Sequence, residues 1–80
     1  MPTRMSEKQE QLFLLFKVAI ESERKAQDLY KNAKELVDDK DLKEILESFY
    51  QGDVRHERKL MEQYNLMTRE FIVPEDYLNN

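Results

Sequence analysis

Glu23, Asp53 and His56 are the residues of this chain whose types and spacing could do chemistry. Carboxylates and imidazole are the donors that hold divalent cations. Asp53 and His56 lie three residues apart, which puts them on one side of a helix. Tyr30 follows Glu23 by two helical turns, and Glu57 adjoins His56. His56 is the one histidine and there is no cysteine, so a zinc-thiolate site, a cysteine-held iron centre and a disulfide frame are all excluded. A metal held by carboxylates and histidine, or oligomerisation, is the staple left to a chain of 80 residues.

These residues need long helices to position them. One glycine and two prolines argue against an all-β protein. Ser6 with Gln9 three residues later forms a capping-box signature. The spacing predicts a first helix over about 7–37 and a second over about 42–67. Asp41 with Glu44 is the expected second cap, residues 1–5 a frayed start, and 68–80 a tail that docks through Phe71, Ile72, Val73, Tyr77 and Leu78. The short connection makes the helices antiparallel neighbours in an all-α hairpin forming a single domain over 1–80.

In the first helix a stripe runs Leu12, Phe16, Ala19, Glu23, Ala26, Tyr30, Ala33, Val37. In the second it runs Leu42, Leu46, Phe49, Asp53, His56, Leu60, Gln63, Met67, with the same alternation of three and four. Folding the hairpin at Val37 and Leu42 sets Tyr30 against Phe49, Ala26 against Asp53, Glu23 against His56 and Leu12 against Met67. Three ionisable groups then converge on one layer of the core. Buried unpaired charge costs several kcal/mol. An isolated Glu–His ion pair leaves Asp53 and Tyr30 without a role, whereas a divalent metal uses them all.

Eight of the nine residues from Leu12 to Ile20 are apolar, too wide a face for two helices alone. Phe13, Leu14, Val18 and Ile20 would face water in a monomer. The expected solution is a homodimer, a four-helix bundle with C2 symmetry, or a higher homo-oligomer. The net charge of −4 and scattered lysines and arginines speak against nucleic acid. Lys17 interrupts the most apolar run, so neither a membrane span nor a signal peptide is expected, and the cytoplasm is the expected location.

The stretch Ala19-Ile-Glu-Ser-Glu-Arg-Lys-Ala-Gln-Asp-Leu-Tyr30 resembles the first metal-binding helix of ferritin-like and rubrerythrin-like proteins. Phe49-Tyr-Gln-Gly-Asp-Val-Arg-His56-Glu57 resembles their second, with its Glu-x-x-His motif. The likeness covers about residues 16–64. It implies a di-iron carboxylate site. Glu23 would cap each iron, Asp53 would bridge, His56 would complete the coordination, and Tyr30 would hydrogen-bond behind the ligands. Two helices hold half of such a site. The resemblance to encapsulated ferritins, single hairpins that dimerise, implies that two copies of Glu23, Asp53 and His56 meet across a dimer axis. Where the family carries glutamate this chain has Asp53, one methylene shorter, and Gly52 sits beside it in mid-helix.

Three functions follow as expectations. The first is ferroxidase-type oxidation of Fe(II). The second is peroxide reduction of the rubrerythrin type, fed by a separate electron donor. The third is an interaction module whose metal site has decayed. Iron is the expected cofactor, another divalent metal is possible chemistry for the same donors, and storage would need an encapsulating compartment. Glu57 reads as an auxiliary carboxylate or as part of a solvated face, and Glu21 as a substitute ligand off the stripe. Tyr64 and Met67 read as core.

Overall fold

The computed structural model describes residues 2–78; the side chain of Leu78, Met1 of the expected frayed start and residues 79–80 of the expected tail lie outside the described residues. Two long helices pack side by side, α1 (Glu7–Leu36) and α2 (Lys40–Glu70), in a rod 53 × 18 × 16 Å. The all-α hairpin therefore stands, with two small additions. β1 (Thr3–Arg4) and β2 (Phe71–Ile72) pair in parallel, Thr3 opposite Phe71 and Arg4 opposite Ile72, and α3 (Glu75–Leu78) is one turn. Among the described residues no helix is long and apolar enough to cross a membrane.

α1 starts as its residues dictate. The Ser6 hydroxyl accepts from the Gln9 N–H at 3.2 Å, and the Ser6 N–H donates to Gln9 Oε1 at 2.7 Å. The start of α2 corrects the expectation. Asp39, not Asp41, is its cap, and its carboxylate accepts from the Leu42 N–H at 2.8 Å. Asp39 holds the extended backbone a cap requires, while Asp41 falls in the first turn, where negative charge favours the exposed N–H groups. α2 also runs past residue 67 to Glu70, because nothing between Met67 and Phe71 breaks a helix.

The terminal end carries most of the core. Phe13 is fully buried, with Met5 and Met67 buried against it and Phe16, Tyr64, Phe71, Val73 and Tyr77 packed around. Its ring stacks on Tyr64 (centroids 4.7 Å apart) and on Tyr77 (6.4 Å). The Lys17 ammonium donates to the Tyr77 carbonyl. Two expectations fail here. Residues 3–5 are held by strand pairing and by burial of Met5, because the tail supplies both a strand and an apolar cover. Phe13 and Ile20 face inward while Leu12 is exposed. The larger Phe13 ring turns into the hairpin because the docked tail closes over it. Leu14 and Val18 do face solvent, as expected.

Gly52 lies inside α2 with an ordinary helical backbone. A Cβ there would touch only the end of the Arg55 side chain, at 3.8 Å. The glycine therefore serves no close approach within the hairpin. Gly52→Ala is expected to stabilise the single chain by about 1 kcal/mol, read from the urea midpoint.

Candidate metal centre

α1 and α2 bring Glu23, Asp53 and His56 together at mid-length. His56 Nδ1 lies 3.6 Å from Glu23 Oε1 and 3.9 Å from Asp53 Oδ1. One donor atom from each residue falls within 4.8 Å of the others. The expected register accounts for this: Tyr30 meets Phe49 with ring centroids 5.5 Å apart, and Glu23 meets His56.

The depths of the three differ. The side chains of Glu23 and Asp53 are 24% and 17% exposed, that of His56 63%. His56 and Phe49 stand at the open edge of the helix pair instead of on its seam; the α2 residues turned inward include Leu46, Tyr50, Asp53, Leu60, Tyr64 and Met67. The site is thus a shallow well with two carboxylates at its floor and an imidazole on its rim.

That floor is electrostatically unsettled. Glu23 Oε2 and Asp53 Oδ2 are buried with no hydrogen-bond partner. Burial pushes the Glu23 carboxyl above its usual range. The adjacent Asp53 carboxylate pushes the same way, and His56 opposes both in part. Native proteins seldom leave buried carboxylate oxygens unpaired.

The flank opposite is settled. Glu57 accepts from Arg24 Nε at 2.9 Å and from Gln27 Nε2 at 2.7 Å. The Gln27 amide and then the Arg24 guanidinium hold its carboxyl below the usual range. One stretch nearer the tip, Glu47 pairs with Lys34 and accepts from Gln51. Glu57, for which the sequence leaves an auxiliary carboxylate or a solvated face, and Lys34 are ionic staples between the helices. The signal was present, because the register that joins Glu23 to His56 also brings Arg24 near Glu57. Glu57→Gln is expected to cost about 0.5–1 kcal/mol at neutral pH. Because its folded pKa is lowered, that contribution is present above the ordinary 4.5 and is lost as pH falls through the folded value. Urea melts of both proteins across pH 2.5–7 check this.

Tyr30 packs its ring on Phe49 and flanks the well. Glu21 is exposed and stands outside the cluster. Compared with family models, curated proteins and solved structures, the chain finds no match, so the centre rests on its own geometry.

Proposed function

We propose that this chain is a ferritin-like, di-iron carboxylate protein that takes up Fe(II) as substrate at Glu23, Asp53 and His56 and promotes its oxidation. The observation that carries the reading is the convergence of Glu23, Asp53 and His56, each acid having its second oxygen, Glu23 Oε2 and Asp53 Oδ2, buried without a hydrogen-bond partner. The donor set fits a cation. Two donors about 2.1 Å from one ion sit roughly 3–4 Å apart, and the observed separations are 3.6 and 3.9 Å.

In this reading each residue has one task. Glu23 and Asp53 supply the negative charge that favours the ferric over the ferrous state. His56 supplies a neutral nitrogen, and its exposed position leaves a side open to the oxidant. Oxidation of two Fe(II) releases two electrons, which O2 takes up with two protons as hydrogen peroxide. A single hairpin offers three donors, so the dinuclear form of the reading requires a homodimer with the two wells face to face. The many exposed leucines of α1 support that arrangement.

The test is an anaerobic Fe(II) titration of metal-stripped protein beside a His56→Ala control. About one iron per chain, lost in the control, supports the reading; oxygen against peroxide turnover then separates the oxidase from the peroxidase. Absence of binding overturns it in favour of an interaction module. Asp53, one methylene shorter than the glutamate of the family it resembles, and a Gly52 that no close approach within the hairpin requires are the features that favour that alternative.

A further inference from the structure

One helical turn from the orphaned oxygen of Glu23 stands a hydrogen-bond donor committed elsewhere. Gln27 follows Glu23 by four residues, which makes the two side chains neighbours on one face of α1. Both are half-buried, and both reach toward α2. Within a turn of Glu23 the other inward residues of α1 are Ala19, Ile20 and Ala26. Gln27 is therefore the one inward side chain there with an N–H to donate. Glutamine and an acid at this spacing are a favourable helical pair. Yet Glu23 Oε2 has no partner, and the Gln27 amide donates across the helix pair to Glu57 Oε1 at 2.7 Å.

Glu23 and Glu57 offer that amide the same chemistry, so their surroundings decide between them. Glu57 is braced: its other oxygen accepts from Arg24 Nε at 2.9 Å, which fixes the carboxylate between two donors. An ionised carboxylate accepts and does not donate, so the amide keeps an N–H turned toward it. Glu23 stands instead beside a second carboxylate and an imidazole. Were the amide to swing back to Glu23, a cation would have to displace it before binding there. A hydrogen bond to a charged group is among the stronger ones to break.

We propose that Glu57 is a positioning residue for the triad: braced by Arg24, it holds the Gln27 amide off Glu23 and so keeps Glu23 Oε2 open to the cation. The proposal rests on the metal reading above and adds how the chain prevents its own polar groups from closing the site.

The experiment uses two variants that break one bond from opposite ends. Glu57→Leu frees the amide to turn to Glu23, and Fe(II) affinity in an anaerobic titration is expected to fall about tenfold or more. Gln27→Met keeps the length and removes the N–H, and affinity is expected to stay within about threefold of wild type. The double variant is expected to return to that level. Glu57→Gln, which loses the charge and keeps an oxygen for the amide, is expected to stay there too. In metal-free protein, nuclear Overhauser contacts from the Gln27 amide protons are expected at the Glu57 methylenes in wild type and at the Glu23 methylenes in Glu57→Leu. A brace with only a structural role predicts that Glu57→Leu and Gln27→Met weaken iron binding alike. That result overturns the proposal, as do amide contacts that do not move. A wild type that binds no iron overturns the metal reading, while amide contacts that move in metal-free Glu57→Leu still uphold the hold of Glu57 on Gln27.

Discussion

Replacing Phe13 with alanine is expected to lower stability by about 3–5 kcal/mol and to leave much of the chain unfolded at 37 °C. Phe13 is the one fully buried large side chain among the described residues. It contacts both helices' ends and the tail, stacking on Tyr64 and on Tyr77. The substitution removes the ring's transfer free energy and opens a cavity that three separate segments border. Domains this small have only about 5 kcal/mol to lose. Urea melts monitored by circular dichroism check the number. Phe13→Leu, which keeps most of the volume, is expected to cost less than half as much. If Phe13→Ala lost under 1 kcal/mol, the terminal cluster would not be the core described.

Glu23→Gln is expected to move two properties in opposite directions. Without metal, it should raise stability by about 1 kcal/mol at pH 7, about 4–8 °C in Tm for a chain this size. Fe(II) affinity should fall at least about 100-fold, more than the loss usual for outer-sphere partners. The sign follows from the raised carboxyl. The folded state binds the Glu23 proton more tightly than the unfolded chain does, so wild-type stability from this group falls as pH rises from 4.5 through the folded value. The advantage of glutamine is therefore full above that window and absent below pH 4.5. Calorimetric melts of metal-free protein at pH 4 and pH 7 check the first half and isothermal titration with Fe(II) the second. A residue retained only for packing would show neither the pH-dependent gain nor the lost affinity.

Much of this was legible because heptad spacing fixes height along a hairpin. Val37 and Leu42 set the register, and that register met Tyr30 with Phe49 and Glu23 with His56. Spacing does not fix rotation. Where two apolar stripes adjoin, as at Leu12 and Phe13, the winner depends on what lies outside the helix pair. Here that is a tail whose docking surface no periodicity in the helices reveals. The same ambiguity moved Phe49 and His56 from the seam to its edge. The start of α2 was misplaced because Asp38, Asp39 and Asp41 all offer a capping carboxylate, and side-chain reach to the Leu42 N–H chose among them. Whether a cation sits at the triad, and which, is a matter of binding free energy that residue order does not encode.

The pairing of Thr3 with Phe71 has a kinetic meaning. The contacts across the tip, such as Lys34 with Glu47, join residues close in sequence and cost little chain entropy to form. The clasp joins the two ends and closes nearly the whole chain as one loop. Folding should therefore nucleate at the turn around Val37 and zip outward, with the strands and the Phe13 cluster closing last. Substitutions in that cluster then act on the unfolding limb of the chevron, while those near the turn slow folding. The end that supplies most of the buried core is the end whose opening sets the lifetime of the native state.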